Sequence, residues 1–145
     1  MSNRAVELPI FAEGIVGFGP PPAASPYLVG GHCSSCDRWY FPRVDRCRHC
    51  HVTLEPGSLG SRGTVYSYTI VRTKPPLGLP QPYAVAYVDL ADRPLRIFML
   101  TDPVKTDDIA IGQAVELAVT PLGVNRHGEP CRRPYFKPVT PPRIR

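Results

Sequence analysis

Two cysteine pairs, Cys33-Ser-Ser-Cys36 and Cys47-Arg-His-Cys50, lie ten residues apart and restrict what this chain can become. A CxxC folds the backbone into a knuckle that aims both sulfurs at one point. Two facing knuckles make a tetrahedron suited to Zn²⁺, with Zn–S bonds near ~2.3 Å. Cys33, Cys36, Cys47 and Cys50 are therefore the candidate metal ligands. A knuckle needs a residue that tolerates positive φ after its second cysteine. Asp37 and His51 take those places, and both types enter that region more readily than most. Two alternatives remain open at this level: a pair of disulfides in a secreted module, and rubredoxin-type iron in the same S₄ geometry. Such a site is closed, because all four positions carry protein sulfur, so its role is folding and not catalysis. His49 and His51 flank Cys50 and are read as surface residues. Arg38, Arg43, Arg46 and Arg48 offset the negative charge of a tetrathiolate.

Nineteen prolines and twelve glycines among 145 residues disfavour helices and favour short strands and turns. No run approaches the ~20 apolar residues of a membrane helix. The N-terminal residues lack the pattern of a signal peptide, so a cytoplasmic setting is expected. Residues 1–125 hold eleven Lys/Arg and eleven Asp/Glu, whereas residues 126–145 hold six basic residues and one acid, Glu129. The net charge of +5 thus reads as a basic tail on a neutral body.

Taken in order, residues 1–26 form an N-terminal arm. One short helical turn is expected, then an extended apolar segment that must lie on this chain or on another subunit. Residues 27–56 form a zinc ribbon, and residues 52–61 read as a Gly- and Ser-rich connector. Residues 57–140 alternate as strands. In the first, Gly63 to Thr73, Val65, Ser67, Thr69 and Val71 are expected on one face and Tyr66, Tyr68, Ile70 and Arg72 on the other. Further strands are expected over Tyr83–Leu90, Leu95–Leu100, Ala114–Thr120 and Pro134–Val139. Residues 141–145 end the basic tail. The pattern is mainly β, an arm and ribbon followed by a five-stranded OB-type barrel, with a small sandwich as the competing fold.

There is no Walker loop, GxGxxG, GxSxG or HExxH. Cys131 has no evident base and reads as an ordinary thiol. The chain alone is therefore expected not to be catalytic, which leaves binding. Tyr66, Tyr68, Tyr83 and Tyr87 are able to stack on bases if exposed, so a single-stranded nucleic-acid module is one reading. The neutral body counts against a polyanion. A ligand with few phosphates, such as coenzyme A, needs fewer cations, and Arg62, Arg72 and Lys74 near the ends of the first barrel strand are candidates to meet one. The alternative for these three is solvent-facing charge.

Several pieces also occur in a familiar order. They are the four cysteines with Phe41-Pro42 between them, Gly63-Thr-Val-Tyr-Ser-Tyr-Thr69, Pro82-Tyr-Ala-Val-Ala-Tyr-Val-Asp89, Ile111-Gly112-Gln-Ala-Val115 and Tyr135-Phe136-Lys-Pro138. Over residues 27–139 the chain resembles the bacterial and archaeal OB-fold proteins with a rubredoxin-like zinc ribbon that occur beside thiolases. The resemblance implies a small subunit of a thiolase-fold enzyme acting on acyl-CoA by thiolysis, retro-aldol cleavage or condensation. The large partner then carries the catalytic cysteine and histidines, and the small subunit helps to hold the CoA ester. One branch of the family serves anaerobic toluene breakdown, and the size of this chain suits it.

Overall fold

Alternating β-branched and aromatic residues, interrupted by Gly and Pro, build nine strands and no α-helix among the described residues. The computed structural model describes residues 8–12, 14–103 and 106–139. The expected tail at 141–145 lies outside them.

The first sheet centres on β2 (Pro26–His32), which pairs antiparallel with β1 (Val16–Phe18), β3 (Trp39–Tyr40) and β4 (Glu55–Gly60). The expected connector at 52–61 is thus corrected: most of it is a strand. Gly57 is poor in β propensity, but a Cβ there would meet the Trp39 ring at 2.7 Å. Packing against that indole, and the fully buried Leu59, outweigh local preference.

The second sheet has the order β7-β6-β5-β8-β9, from β5 (Arg62–Val71), β6 (Tyr83–Leu90), β7 (Arg96–Leu100), β8 (Ala114–Val124) and β9 (Pro130–Pro138). A parallel bridge between Thr101 and Phe136 brings its two outer strands together, as in a barrel of the OB type. The β8–β9 hairpin extends beyond the expected strands. Asn125 organises its turn, its Oδ1 accepting from the backbone N–H of His127 (2.8 Å) and Glu129 (3.1 Å).

One core joins the two sheets. Leu28 and Leu59 from the ribbon pack with Val65, Val88, Val115 and Phe136 from the barrel, all buried. Each such side chain contributes roughly 1.5–3 kcal/mol by leaving water.

In β5 the expected two-face alternation is corrected by a bulge. Val65 pairs with Val88, and Ser67 pairs with the outward Tyr87. Tyr66 is the extra residue between them, so Val65 faces the core while Ser67 joins the outer face.

The N-terminal arm lies on the body of this chain. Ile10 bridges Arg132 in parallel, and the Phe11 N–H donates to the Arg132 carbonyl at 2.8 Å. Arg132 returns the contact, its Nε donating to the Leu8 carbonyl at 2.7 Å. Backbone pairing with β9 keeps the expected short helical turn out of residues 8–11, and a single i→i+4 turn comes later in the arm, where the Ala24 N–H donates to the Pro20 carbonyl at 3.0 Å. The supposed basic tail is corrected likewise, since Arg132, Arg133 and Lys137 belong to β9.

Candidate metal centre and aromatic face

The two knuckles bring all four cysteine sulfurs within 4.8 Å of one another. Cys33 and Cys50 Sγ are 3.2 Å apart, Cys36 and Cys47 3.6 Å, and Cys36 and Cys50 3.8 Å. A sulfur tetrahedron on ~2.3 Å bonds has edges of about 3.8 Å. The donor set therefore fits one Zn²⁺-sized ion. Asp37 and His51 take the positive φ expected of them, 60° and 63°. Their N–H groups close each knuckle onto the first cysteine's carbonyl, at 2.8 Å and 2.9 Å. His49 and His51 are exposed and stand outside the cluster.

The thiols share too little room to ionise together. Burial opposes the Cys47 thiolate, but donation from the Tyr40 hydroxyl and from the N–H groups of Cys50 and His49 outweighs it, and the pKa falls to about 5. Burial and hydrogen bonding to Cys33 and Cys47 push Cys36 up to about 12. Cys33 is lowered, chiefly by the Cys36 N–H, while hydrogen bonding to Cys33 raises Cys50. Two of the four are thus shifted toward the thiolate and two away from it. A central divalent cation is what would make all four thiolates compatible.

Arg62, Arg72 and Lys74 do not converge. Arg62 opens β5, with Nη2 4.0 Å from Glu116. Arg72 and Lys74 follow the far end of that ten-residue strand, ~30 Å away. Both are exposed, and the Arg72 carbonyl accepts from Gln81 Nε2 at 2.7 Å.

The tyrosines divide. Tyr83 is half-buried. Tyr66, Tyr68 and Tyr87 are 51%, 40% and 46% exposed, and Phe98 on the neighbouring strand is 56% exposed. Tyr87 and Phe98 stand on adjacent strands with ring centroids 5.0 Å apart. Arg96 lies over the Tyr66 ring at 3.3 Å, and its Nε donates to Asp89 Oδ1 at 2.6 Å. The Arg96 guanidinium holds the Asp89 carboxyl below the usual carboxylate range. The result is an outward aromatic patch with its cation already paired.

Cys131 is buried. Its Sγ accepts from Arg133 Nη1 at 3.3 Å, and His127 sits exposed in the β8–β9 turn. Arg133 was counted among tail charges, yet it is only 6% exposed. Period-two spacing of Cys131, Arg133 and Tyr135 carried the signal that a strand begins at Pro130 and buries this face.

A zinc ribbon built onto an OB-fold sheet, with an outward aromatic patch, defines a two-module protein of mainly β structure. Residues 22–55 match the family model described as ChsH2, rubredoxin-like zinc ribbon domain, and residues 58–120 match ChsH2, C-terminal OB-fold domain. Over 121 residues the chain is 31% identical to the benzoylsuccinyl-CoA thiolase subunit BbsA of Geobacter metallireducens, covering 83% of this chain and 80% of that one. It is 32% identical over 92 residues to a DUF35 domain-containing scaffold protein of Methanocaldococcus jannaschii, covering 61% of this chain and 64% of that one. The solved Ltp2-ChsH2(DUF35) aldolase is similar with a TM-score of 0.63 at 27% identity, over 79% of this chain and 86% of that chain. The protein belongs to the ChsH2 (DUF35) family of zinc-ribbon and OB-fold proteins.

Proposed function

We propose that this protein is a small, non-catalytic subunit of a thiolase-fold enzyme complex, where it assists assembly and helps to hold the CoA ester. The observation that carries this reading is the outward patch of Tyr66, Tyr87 and Phe98 on a fold whose described residues offer no nucleophile paired with a base. Large amphipathic rings exposed together are the material of protein interfaces. The similarity to a thiolase subunit and to an aldolase component supports such a partner.

In this reading Cys33, Cys36, Cys47 and Cys50 hold one structural Zn²⁺. The ion supplies only cross-linking of the two knuckles, and the thiolates leave no position for substrate. Arg72 and Lys74 meet the phosphates of the CoA ester. Arg62, at the other end of β5, does not share that phosphate group with them. The setting is cytoplasmic, where thiols stay reduced. The similarity to a benzoylsuccinyl-CoA thiolase subunit supports an aromatic acyl-CoA as the thioester, and a place in anaerobic toluene degradation is the finer reading that the family resemblance implies.

The test is turnover. The partner thiolase is assayed with and without this chain, and this chain is assayed alone, on acyl-CoA thioesters. Activity that needs both proteins, with none from this chain alone, supports the reading. Thioester cleavage by this chain unaided overturns it. The exposed rings also suit a second reading, stacking on single-stranded nucleic acid. That reading requires oligonucleotide affinity that falls steeply with salt, and absence of binding at low salt removes it.

A further inference from the structure

A cavity of about 440 Å³ lies where the N-terminal arm, the ribbon and the barrel meet. Phe11 from the arm, Phe41 from the ribbon, and Val85 and Leu100 from the barrel supply much of its apolar wall, and Arg126 and Arg133 line it as well. Its size falls within the range of small-ligand sites, which are mostly apolar with a few placed polar groups.

Arg133 is the unusual member. Its Nη1 donates to the carbonyls of Leu122 (2.9 Å) and Val124 (3.0 Å), and the Phe11 ring covers the guanidinium at 4.0 Å. Gly123 makes the room: its φ is +66°, and a Cβ there would lie 3.0 Å from Nη1. The side chain is thus fixed, and Nε and Nη2 have no hydrogen-bond partner among the described residues. No carboxylate pairs with Arg133 or with Arg126 among those residues. A buried cation without a counter-charge is costly to keep. A guanidinium stays charged and presents a planar fork that fits a carboxylate.

We propose that this cavity binds a small amphipathic carboxylate, an aryl- or alkyl-alkanoate whose apolar body lies against Phe41, Val85 and Leu100 and whose carboxylate meets Arg133, with Arg126 at the mouth. A doubly charged phosphate is disfavoured, because a largely apolar wall with a single buried cation compensates one negative charge better than two. The proposal concerns the isolated chain and does not depend on the partner enzyme.

The probe is 3-phenylpropionate, compared with its neutral isostere 3-phenylpropionamide, added to the full metal-loaded chain and followed by methyl NMR. The acid should shift the Val85, Met99 and Leu100 methyls and bind roughly tenfold more tightly than the amide, as expected for one charge-assisted contact. Arg126→Gln should weaken the acid several-fold without changing Tm, and Leu79→Trp, which fills the cavity, should remove binding. These two variants spare Arg133, whose loss would disturb the hairpin. A second arm compares a carboxyacyl-CoA with its terminal amide. Preference for the carboxylate there names a thioester's acid end as the source, and preference only among the free compounds names the free acid. Equal binding of acid and amide in both arms, or no shift of the Val85, Met99 and Leu100 methyls at saturating probe, would overturn the proposal.

Discussion

The guanidinium of Arg93, in the turn between β6 and β7, lies 4.2 Å above the ring of Trp39 in the zinc ribbon. Its Nε donates to the Ser58 carbonyl at 3.1 Å, and the His32 ring also packs on the indole, with centroids 4.2 Å apart. One barrel residue thereby grips both strands that flank the ribbon's entry. A cation over an indole at a partly exposed site contributes about 0.5–1 kcal/mol. Arg93→Ala and Trp39→Ala should each lower the unfolding free energy, and the double variant should lose less than their sum. Additive losses in chemical denaturation would show that the two residues do not interact.

Metal removal should act locally. Cys33, Cys47 and Leu54 form a small cluster of their own, separate from the shared core that holds Leu28 and Leu59. Chelation or Cys47→Ser should therefore speed hydrogen exchange across residues 33–54 and leave the β5–β6 amides protected. Elemental analysis of the untreated protein should find one zinc per chain. Iron in its place would redirect the account to a rubredoxin-like carrier.

Phe136 tests the barrel. It is fully buried, and its backbone bridges Thr101 where the sheet closes. Phe136→Ala should cost about 3–5 kcal/mol in urea unfolding. A loss below 1 kcal/mol, on the order of a surface change, would mean that the core does not converge on this ring.

The Asp89–Arg96 pair sets a small pH dependence. The Asp89 pKa is lowered in the fold by Arg96. Such a carboxylate adds stability above its ordinary pKa, and the benefit fades as pH falls through the folded value. Both side chains are nearly half exposed, so the effect stays under about 1 kcal/mol. Asp89→Asn should be slightly less stable at neutral pH and should converge with the parent protein only as pH falls through the lowered Asp89 value, below the ordinary carboxylate range. A stability difference that grows on acidification would contradict the assignment.

Much of this molecule was legible from residue types alone, and the exceptions have physical causes. The CxxC spacing fixed the sulfur cluster because the geometry is local to each knuckle. The positive φ of Asp37 and His51 followed from the same reasoning. The β5 faces were misjudged because a bulge at Tyr66 reverses the alternation, and nothing in the strand's own composition marks it. β4 was missed because Gly57 and Ser58 carry no strand preference and depend on Trp39 and β2. Arg62, Arg72 and Lys74 are candidates by chemistry and by their place at or near the ends of β5, and the ten residues of that strand set Arg62 apart from the other two. The spacing of Cys131, Arg133 and Tyr135 marks a strand, but the carbonyls of Leu122 and Val124 that make burial of the Arg133 guanidinium tolerable come from β8 and are not local to that spacing.

The exposed rings give the most direct trial of the central claim. This chain and a neighbouring thiolase-fold protein are co-expressed, and the purified material is weighed by native mass spectrometry, with the Tyr87→Ser, Phe98→Ser double variant run beside it. A hetero-complex that holds the small chain, and that the double variant weakens while keeping its own Tm, is the expected result. A small chain that stays alone beside every such enzyme would contradict the claim.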